Sequence, residues 1–208
     1  MGTLLYEVVL TSIFSYTVWS NYAFLIVSTA LFGFGIAGVF LYLFQKLTFL
    51  EGINSRLSLL AFLFALSAIV SLQIIKIVPL DVSRFNLFVN WVYLIIIFLT
   101  ILTPFFFSGL AISILLSSNK KSVNRLYFFD LVGASIGSIF LIILITPLGA
   151  SGTLLLASTM GILSSLIFLK GKFKAFSFIY YIILFVFFIA KYNDVKLFRC
   201  HFRYRKCR

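Results

Sequence analysis

Residues 104–152, PFFFSGLAISILLSSNKKSVNRLYFFDLVGASIGSIFLIILITPLGASG, decide how this chain folds. They contain the end of one long apolar run, a short polar link with three basic residues, and a second long apolar run. A helix needs about 20 apolar residues to cross the hydrocarbon core of a bilayer. The stretch therefore predicts two membrane helices joined by a short link. The second run contains Asp130, and a charge at such a position costs several kcal/mol unless it has a partner.

The whole chain is strongly apolar. Of its 208 residues, 62% are hydrophobic and 11% are charged, whereas a soluble domain has about 45–50% apolar and about 25% charged residues. This composition predicts an all-α, polytopic transmembrane helical bundle with no room for a soluble enzyme domain. The formal charge of +12 comes from short basic clusters at the ends of apolar runs. Clusters in these places are typical of topology signals and do not indicate nucleic-acid binding.

The apolar runs predict about seven spans. They lie at residues 4–18, 22–44, 57–75, 87–116, 126–146, 153–169 and 176–190. The fourth is longer than a bilayer requires and contains Pro104, which predicts a kink or break there. Residues 1–190 are therefore interpreted as one transmembrane domain. Residues 191–208 form a basic tail that is interpreted as disordered or as the remnant of a truncation.

The charges in the links predict the orientation of the spans. Basic residues cluster after spans two, four and six, and the positive-inside rule places these links in the cytoplasm. Seven spans would then place the tail outside, although it carries seven basic residues. Either the first or the last segment does not span the membrane, or the tail is not a native part of the membrane protein. The membrane is expected to be the plasma (inner) membrane.

Asp130 lies on a face of small residues in the fifth span. Gly133, Ala134, Gly137 and Ser138 share this face by helical spacing. Faces of this kind pack closely against a neighbouring helix. We therefore expect Asp130 to face protein, with span four as its neighbour through residues 104–109, including Pro104 and Gly109.

Three roles are open for Asp130. It pairs locally with Arg125 or Asn124, it forms a proton or ligand site, or it contacts another subunit. Glu7 is the other carboxylate near an apolar run. It either faces the bundle interior with Asp130 or is solvated at a helix end. The candidate ligand or proton site therefore consists of Asp130, Glu7 and Arg125.

Residues 33–38, GFGIAG, match the dinucleotide fingerprint G-x-G-x-x-G. That fingerprint requires a preceding strand and a βαβ unit, whereas this run lies in the middle of a predicted span. Its glycines are interpreted as helix-packing residues, with Gly33 and Ala37 one turn apart. Ala157, Gly161 and Ser165 repeat the same spacing in the sixth span.

The basic tail contains Cys200, His201 and Cys207. Seven positive charges around them would repel a cation, and they lack the paired spacing that is typical of zinc sites. We interpret them as an accidental cluster. No metal, no cofactor and no catalytic constellation is predicted in the chain.

Several stretches resemble the membrane half of fused spermidine synthase-like integral membrane proteins. They are residues 5–10 (LYEVVL), 22–24 (YAF), 33–38 (GFGIAG), 104–110 (PFFFSGL), 124–134 (NRLYFFDLVGA) and 147–149 (PLG). The resemblance covers about residues 4–170, and residues 124–134 are its most specific part. Members of that family usually continue into a cytoplasmic aminopropyltransferase-like domain. The donor-binding residues of that domain have no counterpart here.

The resemblance implies a membrane module that anchors a synthase-like domain or protein, or feeds substrate to it. Whether the chain belongs to an enzyme stays open at this point. One alternative is an independent carrier of a small cationic molecule, with Glu7, Asp130 and the predicted kink at Pro104 as its working parts. Another is a non-functional fragment of a longer gene product. The expected contacts are the lipid bilayer and a synthase-like partner, without nucleic acid, and the oligomeric state is not predicted.

Overall fold

The computed structural model describes residues 2–17, 23–44, 52–77, 88–118 and 122–168. They form five helices, namely α1 (Gly2–Thr17), α2 (Ala23–Leu43), α3 (Ile53–Ile77), α4 (Phe88–Ser118) and α5 (Val123–Phe168). Gly149 interrupts α5, so these ranges contain six helical segments and no strand. The predicted all-α fold is confirmed. The predicted seventh span and the tail lie outside the described residues.

Four helices are long and apolar enough to cross a membrane. They are Phe24–Leu43, Ile53–Ile75, Trp91–Ser118 and Val123–Thr146. Two further apolar helices, Gly2–Ser15 and Gly152–Phe168, are shorter. These lengths and compositions are those of an integral membrane protein. The predicted count of seven spans is not confirmed.

The helix α4 continues through Pro104, so it is not broken where the sequence predicted a kink or break. Proline has no backbone N–H and leaves the carbonyl four residues earlier without its helical donor. That carbonyl belongs to Thr100, and the hydroxyl of Thr103 donates a 2.8 Å hydrogen bond to it. A neighbouring hydroxyl can satisfy a freed carbonyl in this way where no water is present. The threonine before Pro104 thus supports an uninterrupted helix.

Contacts along α2 and α4 show that these two helices run in the same direction. Gly33 lies against Phe105, and one turn later Ala37 lies against Gly109. Residue numbers therefore increase together along the two helices. Spans two and four of an alternating bundle have this relation, which agrees with the predicted order of crossings.

The helix α3 runs antiparallel to the last part of α5. Ser58 is hydrogen-bonded to Ser165, and Phe64, further along α3, lies against Gly161. Residue numbers rise along one helix as they fall along the other. Ala157, Gly161 and Ser165, the small residues of the predicted sixth span, are all buried.

One end of the bundle contains the helix ends that adjoin the basic links. Leu41 of α2, Leu57 of α3, Ile114 of α4 and Phe168 of α5 belong to a single apolar cluster. We call this the basic end of the bundle. The ends of α2, α4 and α5 that lead into the basic links therefore lie on one side of the bundle, as the charge pattern predicted.

The chain reverses direction inside α5. Val123 follows Ser118 of α4 by only five residues, so α5 starts near the basic end at which Phe168 also packs. A straight helix of this length, 46 residues, would separate its two ends by about 69 Å. The reversal occurs at Gly149, which has φ 69° and ψ 174°. Residues other than glycine are essentially excluded from this backbone conformation.

We expect Gly149→Ala to lower the free energy of unfolding by about 1–3 kcal/mol, because alanine is strained at this φ and ψ. Denaturant titration in mixed micelles measures the change. Gly35→Ala is the matched control, because Gly35 is helical and has open space around its Cβ position. Equal stability of the two variants would contradict a reversal that depends on the glycine.

Candidate functional site

The centre of the bundle contains one aromatic ring from each of the first four helices. These rings, which we call the aromatic cluster, belong to Tyr6, Phe34, Phe64 and Phe105. The ring centre of Tyr6 lies 5.3 Å from that of Phe105 and 6.2 Å from that of Phe64, in edge-to-face geometry. Phe34 meets Phe105 at 6.2 Å. Such pairs contribute about 0.5–1.5 kcal/mol each beyond area burial.

Every phenylalanine of the aromatic cluster lies against a glycine of another helix. A Cβ atom added to each glycine would lie too close to a side-chain carbon of its partner, in the pairs Gly33–Phe105 (2.7 Å), Gly109–Phe34 (2.8 Å) and Gly161–Phe64 (2.8 Å). We call these three contacts the ring–glycine contacts. They join α2 to α4 in both directions and α3 to α5. Small residues allow membrane helices to approach closely. The space is filled by a ring carbon at Gly109 and Gly161, and by the Cβ atom of Phe105 at Gly33.

The glycine-rich run of α2 is divided between two environments. Gly33 and Ala37 are buried against α4. Gly35 and Gly38 are exposed, and nothing lies within 4 Å of their Cβ positions. The run is wholly helical, with no strand in front of it among the described residues. It therefore does not form a dinucleotide-binding turn.

A hydrogen bond connects α1 to α3 inside the bundle. The hydroxyl oxygens of Tyr6 and Ser71 are 2.7 Å apart, and both residues are fully buried. The Ser71 hydroxyl donates to the backbone carbonyl of Ala68 at 2.8 Å. Because serine has a single hydroxyl hydrogen, Tyr6 is the donor to Ser71. All hydroxyl hydrogens of this pair are thus satisfied away from water.

A second polar contact connects α3 to α5 near the basic end. The Ser58 hydroxyl donates to the backbone carbonyl of Ser165 at 2.8 Å, and the two hydroxyl oxygens are 3.0 Å apart. Both serines are buried. Since Ser58 has used its hydrogen, the Ser165 hydroxyl donates to Ser58. Gly161 allows α3 and α5 to approach each other closely, and the Ser58–Ser165 hydrogen bonds add specificity to this helix contact.

Asp130 is exposed, so the expectation that it faces protein is wrong for the single chain. Its expected neighbours, Pro104 and Gly109, are buried, and Gly109 packs against α2 instead. Gly137, on the same face of α5, is buried, while Gly133 is half-buried. The packed stripe of α5 therefore ends before Asp130 is reached.

The three candidate ligand-site residues do not meet within the described part of the bundle. Arg125 is exposed like Asp130, and neither forms a hydrogen bond or ion pair with a described residue. Glu7 is half-buried on α1, next to the buried Tyr6. Of these two carboxylates, Asp130 therefore lies on the outside of the bundle and Glu7 lies at the edge of its core.

Sequence reasoning missed the polar and aromatic residues that hold the core. Tyr6 and Ser71 were not distinguished from other hydroxyl residues in apolar runs, and Phe64 was one phenylalanine among 27. The available signal in the sequence was the spacing of Phe105 and Gly109. It places a ring and a residue without a side chain one helical turn apart. Glycine and phenylalanine at that spacing predict an interlocking pair only when a partner helix is known.

Within the described ranges, no group of three histidine, cysteine, aspartate or glutamate side chains is placed to hold a metal ion. Cys200, His201 and Cys207 lie outside those ranges. Comparisons with known families, curated proteins and solved structures found no match to this chain. The resemblance to spermidine synthase-like membrane proteins therefore rests on the quoted sequence stretches alone.

The ring–glycine contacts predict that Gly33→Leu and Gly109→Leu destabilise the bundle by about 1–3 kcal/mol or more, because an overpacked core must shift its backbone. Gly35→Leu and Gly38→Leu are the matched controls on the exposed side of α2. Thermal unfolding in detergent measures all four variants. Comparable losses at Gly33 and Gly35 would refute the assigned packing face.

The Tyr6–Ser71 bond is tested by a double-mutant cycle. Ser71→Ala leaves the buried Tyr6 hydroxyl without its acceptor, which costs about 1–3 kcal/mol. Tyr6→Phe in the Ser71→Ala background should recover part of that loss, because the unsatisfied hydroxyl is removed. Unfolding free energies in mixed micelles measure the coupling. Purely additive losses would show that the two hydroxyls do not interact.

Proposed function

We propose that this chain is a membrane module of the plasma membrane that anchors a synthase-like domain or protein, or feeds substrate to it. The sequence support is the resemblance of residues 124–134 and the shorter stretches quoted with them. The structural support comes from the side chains that occupy the interior of the bundle. A bundle whose centre is occupied by the aromatic cluster suits a module that holds another component at the membrane.

The observation that carries this proposal is that the buried polar side chains are already occupied. In the part of the chain that the structure describes, the buried polar residues other than Tyr6 are serines and threonines, and each one is hydrogen-bonded to protein. They are Thr29, Ser58, Ser67, Ser71, Ser108, Thr153, Ser158 and Ser165. Among the described residues, this interior therefore offers a polar cargo no buried charge and no free hydroxyl hydrogen.

The position of Asp130 also favours anchoring over transport. A carrier of a cationic molecule requires acidic groups along an internal path. Asp130 is on the outside of the described bundle, whereas the centre of the bundle contains the aromatic cluster. A peripheral carboxylate is better suited to contact a partner than to line a path.

A carrier of a small cationic molecule is the second candidate, and one observation favours it. Glu7 is half-buried on α1 and follows the buried Tyr6 in the sequence. A carboxylate at the edge of a membrane core is a possible cation contact. Radiolabelled spermidine uptake into proteoliposomes tests this candidate, with Glu7→Gln as the variant and Asp130→Asn as the comparison.

We expect the purified chain to have no aminopropyltransferase activity by itself, because it contains no residues that resemble a donor site. The assay supplies decarboxylated S-adenosylmethionine and putrescine and measures methylthioadenosine. Product above the blank without protein would contradict this expectation. The same assay applied to membranes of the native cells detects a synthase-like partner.

The anchoring role is tested by deleting the gene and fractionating the cells. The synthase-like activity should move from the membrane fraction to the soluble fraction, or fall if the module feeds substrate. The wild-type chain and Gly35→Leu should restore the original distribution, whereas Gly33→Leu should not, because its bundle is misassembled. Unchanged activity and distribution after deletion would overturn the proposal. Lost spermidine uptake with unchanged distribution would favour the carrier.

A further inference from the structure

The first segment of α5, Val123–Thr146, is a candidate span whose side chains are mostly exposed. A row of its residues recurs at alternating intervals of three and four. The row, which we call the outer stripe, consists of Leu126, Phe129, Gly133, Ile136, Phe140 and Ile143. Its four largest exposed members are between 43% and 64% accessible. This spacing is that of the seam between two supercoiled helices.

Two charged residues flank the outer stripe. Arg125 precedes its first member, and Asp130 follows its second. Both side chains are exposed, and neither is paired with any residue of the described ranges. Asp130 is four residues beyond the start of the apolar run at residue 126, which places it about 6 Å inside that run. An ionised carboxylate at that depth requires a partner.

A second copy of this chain supplies such a partner. Copies inserted with the same orientation present this helix in parallel. In parallel helix pairs, the residue just before a seam position meets the residue five places later on the other helix. Arg125 and Asp130 are five residues apart and carry opposite charges. Two-fold symmetry then makes two equal ion pairs from one interaction.

We propose that the chain forms a parallel dimer through the outer stripe, held in register by two Arg125–Asp130 ion pairs between the copies. The half-buried Gly133 lies between the flanking rings and permits close approach of the two backbones. Lipid alone can cover the apolar members of the stripe, but it leaves the carboxylate without a cation. The charges therefore favour a protein partner over lipid at this face.

The first experiment counts subunits. Full-length chain carrying one fluorophore is reconstituted in phosphatidylcholine vesicles over a series of protein-to-lipid ratios, and photobleaching steps give the dimer fraction. Arg125→Glu and Asp130→Arg should each weaken dimerisation by about tenfold or more, since like charges then face each other. The double variant Arg125→Glu/Asp130→Arg should restore it. Asn124→Glu is the control, because position 124 points away from the seam.

The second experiment does not depend on altered charge. In a background with Cys200→Ser and Cys207→Ser, Phe129→Cys should form a disulfide between copies under mild oxidation. Leu131→Cys, on the opposite side of the helix, should not. Thermal unfolding confirms that each variant is folded.

Each outcome decides the proposal. A chain that stays monomeric at every ratio overturns it, because lipid alone then covers the face. A dimer that is insensitive to charge reversal, or that the double variant does not restore, overturns the ion pairs. A dimer that crosslinks at position 131 and not at 129 overturns the choice of face. None of these results depends on whether the synthase-related role is correct.

Discussion

The contact between a phenylalanine ring and a bare glycine backbone is the interaction on which this bundle depends. In lipid, apolar side chains gain little by leaving their surroundings, so helices associate through shape and dispersion. A ring seated on glycine gives many atom contacts at short range. Two such contacts, at Gly109 and Gly161, and the contact of Gly33 with the Cβ atom of Phe105 are linked through Tyr6 and connect all five helices. Loss of one glycine therefore affects more than the pair to which it belongs.

Hydroxyl groups complete the core without adding charge. Most of the buried serines and threonines donate to a carbonyl of their own helix, three or four residues earlier. This arrangement removes the cost of a polar group in an apolar environment. Among the buried hydroxyls of the described residues, those of the Tyr6–Ser71 and Ser58–Ser165 pairs form hydrogen bonds between helices. The first bond joins α3 to α1, and the second joins α3 to the end of α5.

Composition and run length were sufficient to predict an all-helical membrane protein, because bilayer thickness constrains helix length directly. The basic links also predicted which helix ends share one side. The reversal at Gly149 was readable from a proline and a glycine between two apolar runs. The neighbours of Asp130 were not predictable, because a short link does not oblige two consecutive helices to pack closely. The face on which a lipid-embedded helix packs depends on shape, and hydrophobic patterning carries little of that information.

The reversal within α5 has a consequence for how the protein enters the membrane. Both ends of this helix pair remain at the basic end of the bundle, so the pair can insert as a hairpin from one side. The part that has to be carried across is the tip around Gly149. Residues 141–153, LIILITPLGASGT, contain no charged side chain. Translocation of this tip therefore moves no charge through the hydrocarbon, while the retained basic residues hold the other end in place.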